Sequence, residues 1–225
     1  MNGKICKKVL AIIVILVVVM ASISCKDSVD LSIYVSELRS AIYEGKDNNI
    51  TLTVYAEERE DPFIIDGFVG ELKKVLIVKL HSEGRSIDSA SVSLSFDGVN
   101  CEGDFEYSPL NGKYCTEIFV EKLPSSPIIN AVFKCGEESV NLELKTQVNN
   151  GNLSYSEVLD SVRKYDSHTV KELFENTNVS TEIHIRIISD KNKNYYYVGF
   201  SEKSGKIYAY LVDGVSGEVL AKKSA

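Results

Sequence analysis

Residues 30–56 read DLSIYVSELRSAIYEGKDNNITLTVYA, and the hydrophobic period changes half-way along them. Leu31, Val35, Leu38 and Ile42 recur at helical spacing, with Asp30 placed to cap the start and Gly45 to end it. This spacing predicts a short amphipathic helix. From Asn49 the period falls to 2: Ile50, Leu52, Val54 and Ala56 alternate with Thr51, Thr53 and Tyr55, as in a half-buried strand. On this reading residues 25–48 are a tether carrying one helix, and a β domain opens at residue 49.

Downstream the strand signals continue. Residues 75–78, VLIV, are continuously apolar, as for a strand covered on both faces. Val92, Leu94 and Phe96 alternate with serines and end at Asp97-Gly98. Asn111-Gly112 stands between alternating segments, the strongest short-range hairpin signal, because both turn positions need positive φ. Val140, Leu142 and Leu144 mark a last strand after a turn near Gly136. The expected fold class is mainly β, with about seven strands over residues 49–147 in an antiparallel sandwich. The pattern resembles the immunoglobulin-like modules of bacterial surface proteins.

Residues 147–152, QVNNGN, read as a polar linker. Ser154-Tyr155-Ser156-Glu157 then has the S-x-x-E form of a capping box, predicting a helix to about Tyr165 and a second short one from about Val170 to Glu175. Alternation returns at Ile183, Ile185 and Ile187, and three further strands follow at 195–200, 207–212 and 218–222. Tyr197-Val198 and the run YAYLVDGVSGEVL at 208–220 resemble the PepSY domain, a small α+β module of peptidase propeptides and envelope proteins. Tyr208, Val212, Asp213, Gly217, Glu218 and Val219 carry that resemblance, which covers residues 153–225 and implies contact with a secreted peptidase. The residues also have a local reading: Asp213 bonds nearby backbone and Gly217 takes positive φ in a tight turn.

Upstream, Lys4, Lys7 and Lys8 precede an unbroken apolar run at 9–21, and Ser22-Ile23-Ser24-Cys25 closes it. A basic start, an apolar middle and a small-residue end form a secretory signal, here residues 1–24. The run of 13 residues is short against the ~20 that a spanning helix needs. Ser24-Cys25 resembles the end of a bacterial lipoprotein signal. That resemblance implies fatty acylation (palmitate or a related chain) at Cys25 and a location at the outer face of the cell membrane. A single transmembrane anchor is the alternative.

The chain carries 25 basic and 32 acidic side chains, net −7. The signal holds three of the basics and no acid, so the remainder is −10. That charge argues against nucleic acid as a partner. Three cysteines remain, Cys101, Cys115 and Cys135, and they allow one disulfide in three ways. A two-residue turn at Asn111-Gly112 places Cys115 opposite Ser108 and Cys101 near Lys122, which leaves Cys135 as the partner in whichever bridge forms. Three free cysteines acting as small buried hydrophobes are the competing reading.

The sequence holds no H-E-x-x-H, G-x-S-x-G, P-loop or G-x-G-x-x-G motif. His81, His168 and His184 are scattered, and His184 falls on the polar side of an alternating strand. The acidic residues 57–61 lack the order of a calcium loop. No catalytic, cofactor or metal residue is therefore expected. Tyr195 and Tyr197 fall on one strand face and Tyr196 on the other, with Tyr208 and Tyr210 on a neighbouring strand. These five form the candidate ligand or partner surface, with cross-strand packing as the competing role. The expected function is a membrane-anchored, non-enzymatic binding or scaffold protein of the cell envelope. The expected partners are an envelope protein, a peptidase or a cell-wall glycan.

Overall fold

The computed structural model describes residues 29–225, apart from 48, 84–86, 88, 110–111 and 176–178. The expected signal and Cys25 lie outside the described residues. Leu31 to Ala225 form one compact unit, and it is mainly β. A 3-10 turn at Leu31–Tyr34 leads into β1 (Val35–Asp47), β2 (Ile50–Glu60), β3 (Leu72–Ser82), β4 (Ala90–Phe96), β5 (Val99–Asp104), β6 (Glu106–Ser108) and β7 (Lys113–Phe119). Next come β8 (Ile128–Cys135), β9 (Glu138–Thr146), helices α1 (Tyr155–Tyr165) and α2 (Ser167–Phe174), and β10 (Thr181–Asp190), β11 (Lys193–Glu202), β12 (Ile207–Asp213) and β13 (Val219–Ser224).

The helix expected at 30–45 is a strand, and it is the trunk of the fold. One edge of β1 pairs antiparallel with β2 from Ile50 to Arg59. The other edge is divided. Its first half, Val35 to Arg39, pairs parallel with β10, and Tyr43 and Glu44 pair antiparallel with β9. The sheet therefore forks at β1. Two bulges account for the spacing of Val35 and Leu38, whereas Ile42, opposite Tyr55, faces the other side of the sheet. One interrupts the register with β10 between Val35 and Glu37, the other the register with β2 between Arg39 and Ala41. Each adds a residue, so Val35, Leu38 and Ala41 reach the same face three apart instead of two.

On one branch, β1, β2, β3, β7 and β6 form a layer facing β9, β8, β4 and β5. The chain switches layers at Phe105, where β5 paired with β4 gives way to β6 paired with β7. Alternate residues fill the enclosed core: Leu52, Val54, Leu76, Val78, Val92, Leu94, Ile129, Phe133 and Leu144. On the other branch, β10 to β13 form an antiparallel sheet under α1 and α2. Three rows cross it: Ile183–Phe200–Tyr208, Ile185–Val198–Tyr210 and Ile187–Tyr196–Val212. All nine of these side chains are buried, and Phe174 of α2 meets Phe200 edge-on, their ring centroids 5.2 Å apart.

Residues 147–152 are not a free linker. Asn194, 3% exposed, accepts hydrogen bonds from the Asn149 backbone N–H (2.8 Å) and the Asn152 side-chain amide (2.9 Å) and donates to the Gln147 carbonyl (2.9 Å). A polar stretch is thus fixed by one buried amide that satisfies it. α1 starts at the capping box read from the sequence, with Ser154 and Glu157 bonded reciprocally. α2 begins earlier than expected because the Asp166 carboxylate accepts from the Thr169 N–H and caps it there. At the 213–217 turn, Asp213 Oδ1 accepts from the backbone N–H groups of Val215 (3.0 Å) and Ser216 (2.8 Å), and Gly217 sits at φ 73. The β6–β7 hairpin pairs Ser108 with Lys113, so Cys115 lies opposite Glu106 and not Ser108. The turn is longer than the two residues expected. Cys101, Cys115 and Cys135 are free, half-buried thiols on β5, β7 and β8.

Candidate functional site

The five tyrosines divide between the two faces of the C-terminal sheet. Tyr196 (7% exposed), Tyr208 (7%) and Tyr210 (1%) lie under the helices. The Tyr196 hydroxyl donates to the Leu153 carbonyl at 2.7 Å, and the Tyr210 hydroxyl donates to Asp166 at 2.7 Å. Burial, with the Asp166 carboxylate next to it, raises the Tyr210 hydroxyl above its ordinary range. Asp166 also takes the Lys222 ammonium. Burial pushes Asp166 up, but the Lys222, Tyr210 and Thr169 hydrogen bonds reverse this and hold it at about 2. These three tyrosines serve packing. Tyr195 and Tyr197 stand half-buried on the opposite, outer face. The Tyr197 hydroxyl reaches over Gly199, where a Cβ would lie 2.8 Å from it.

That outer face continues across β10 onto β1 and β2, and there the structure brings together residues the sequence reading passed over. Glu37 takes a bidentate hydrogen bond from Arg186, Nε at 2.5 Å and the terminal nitrogen at 2.6 Å. His184 Nδ1 lies 3.3 Å from Glu37 Oε2, close enough for attraction but out of line for a hydrogen bond. Burial pushes the Glu37 carboxyl up, and the His184 and Arg186 contacts more than reverse it, to about 2. His184 is thus a seam residue, its side chain 12% exposed, and not an open one on a polar face. His168 is a surface residue, 91% exposed. Arg39 binds Glu57, which is 1% exposed, through Nε at 2.6 Å, and lies 4.3 Å from the Tyr55 ring centre. Lys79 lies 4.9 Å from the same ring.

The fork leaves a cleft of about 370 Å³ on this face. Arg39, Glu44 and Tyr55 line one side, and Ile188, Asp190 and Lys191 at the end of the β10–β11 hairpin line the other. Tyr195 pairs with the lining residue Ile188 and so stands beside the cleft, whereas Tyr197 pairs with Arg186, which does not line it. No protein-family model, curated protein or solved structure matches the chain. The cleft's own chemistry is both charge signs, backbone and amide groups, and one aromatic ring, that of Tyr55. Such a lining suits a polar chain with apolar faces, a glycan or an extended peptide. Among the described residues, no group of three or more His, Cys, Asp or Glu side chains is placed to hold a metal ion, and no helix is long and apolar enough to cross a membrane.

One sequence signal pointed towards part of this site. Alternation in β2 puts Tyr55, Glu57 and Arg59 on one face. The partnership of Glu37 with Arg186 spans 149 positions and depends on parallel pairing of β1 with β10, which no local pattern encodes.

Proposed function

We propose that this chain is an exported, membrane-tethered binding or scaffold protein of the cell envelope, with no catalysis of its own. Its N-terminal signal resembles that of lipoproteins and supports the tether. The mainly β body supports an immunoglobulin-like reading of residues 49–147. Two helices laid on a four-stranded antiparallel sheet support a PepSY-like reading of residues 153–225. The observation that carries the binding role is the cleft at the fork, lined by Tyr55 and by fixed charges of both signs, with Tyr195 beside it.

Tyr55→Ala and Tyr195→Ala, both on the outer face, are expected to weaken retention of the full chain on cell-wall glycan or on extended envelope peptides. Thermal unfolding of the two variants should stay close to that of the parent. Unchanged retention on both supports in the two variants would overturn the cleft as the binding site. The helix–helix–sheet order favours a second reading, regulation of a secreted peptidase through the C-terminal module. Addition of the full chain to the secreted peptidases of its own cell would then change their activity, and no effect on any of them would end that reading.

A further inference from the structure

The exposed phenylalanines collect at one end of the molecule. β1 and β10 start there, at Val35 and Ile183, which pair. β2 ends there and β3 begins there, since Glu60 pairs with Leu72, and β7 ends there, with Phe119 opposite Val75. The β2–β3 connection, residues 61–71, folds over the start of β10. Phe63 meets the His184 ring at 5.1 Å, the Asp66 N–H donates to Glu182 at 3.1 Å, and Gly67, at φ 81, lies so near the Val179 carbonyl that any Cβ would clash at 2.0 Å. The loop is therefore held in place, yet it shows Phe68 (77% exposed), Ile64 (57%) and Phe63 (47%) to solvent. Phe119 (52%) stands at the same end, as does Ile33 (61%) in the turn before β1. Of the 8 phenylalanines, the other five are buried or half-buried. A fixed apolar tip of this kind marks an interaction surface.

The same end is where the chain enters the fold, at Leu31. Leu31 lies six residue steps from Cys25, a reach of ~20 Å at most. We propose that this tip rests in the headgroup region of the membrane that holds the tether, with Phe63, Ile64 and Phe68 entering the interface. The inference rests on the tether reading above. Residues 58–74 hold five acids, Glu58, Glu60, Asp61, Asp66 and Glu71, against Arg59, Lys73 and Lys74, a net −2 that fits a zwitterionic surface better than an anionic one. The tip thereby adds apolar contact to an anchor and fixes the orientation of the cleft relative to the membrane.

The chain has no tryptophan, so one introduced indole reports alone. Phe68→Trp suits the tip, and Val215→Trp, 61% exposed beyond the far end of β12, serves as control. Each full-length variant is reconstituted into phosphatidylcholine vesicles with and without brominated acyl chains and then floated. The expected result is flotation of both, with blue-shifted and quenched emission only from the indole at 68. Flotation without quenching at 68, or with equal quenching at 215, overturns the membrane-facing tip and leaves the tether standing. Failure to float overturns both. A blue shift at 68 without lipid, together with elution as a dimer, assigns the tip to a second copy of the chain and overturns the membrane reading.

Discussion

Residues 30–45 and 154–165 both carry apolar side chains at helical spacing, and only the second forms a helix. The difference lies at their ends and edges. α1 has a reciprocal capping box, a glutamate in its first turn, and Arg163 and Lys164 in its last, so its own termini satisfy the backbone and its dipole. Residues 30–45 lack the second half of a capping box, because Ile33 stands three after Asp30. They have instead a strand partner along each edge, and two bulges that turn a period of 2 into steps of 3. Spacing alone does not separate a capped helix from a bulged strand. What separates them is where the backbone hydrogen bonds go.

Proline tests this contrast most severely. Leu38 faces Ile185 on one side and Glu58 on the other, so the N–H it would lose belongs to the interior of the sheet. Leu38→Pro is expected to cost about 3 kcal/mol or more in denaturant unfolding. Tyr155→Pro, at the first helical position of α1, is expected to be close to neutral, because that N–H has no partner within the helix. A small loss at 38 would mean that β1 is not the trunk of the sheet.

The seam between β1 and β10 gives a pH-dependent version of the comparison. Glu37 is held at about 2 in the folded chain against an ordinary 4.5. Its contribution is therefore complete above pH 4.5 and disappears as the pH falls towards about 2. Because Arg186 is 43% exposed, solvent screening reduces that contribution to on the order of 2 kcal/mol. Glu37→Gln should lower stability at pH 7 and flatten the loss between pH 4.5 and 2. An acid limb as steep as that of the parent would place the titrating group elsewhere.

Local chemistry was legible in the sequence. The S-x-x-E box, the Asp213–Gly217 turn and the alternation of Ile183, Ile185 and Ile187 all stand where the residues put them. Long-range chemistry was not. The Asn-rich residues 147–152 have the composition of a linker, and only the buried Asn194, over 40 positions on, makes them a clamp. Tyr196, Tyr208 and Tyr210 read as one surface with Tyr195 and Tyr197 until the helices cover one side of the sheet. The cleft needed more still, since it exists only because β9 and β10 leave β1 in different directions.

The capping box sets the lower end of the scale. The Glu157 N–H reaches Ser154 Oγ at 3.4 Å, a long bond, while the Ser154 N–H and hydroxyl each reach Glu157 Oε2 at 2.8 Å. Ser154→Ala removes the side-chain half of this exchange at an exposed site, and should cost about 1 kcal/mol in urea unfolding. Ser154→Gly should cost only a few tenths, since glycine leaves the N–H groups open to water. α1 buries Val158, Leu159 and Val162 against the sheet, so it should stay folded without its cap. If Ser154→Ala cost as much as Leu38→Pro, α1 would owe its helix to the cap more than to packing, and the two segments would differ less than their structures indicate.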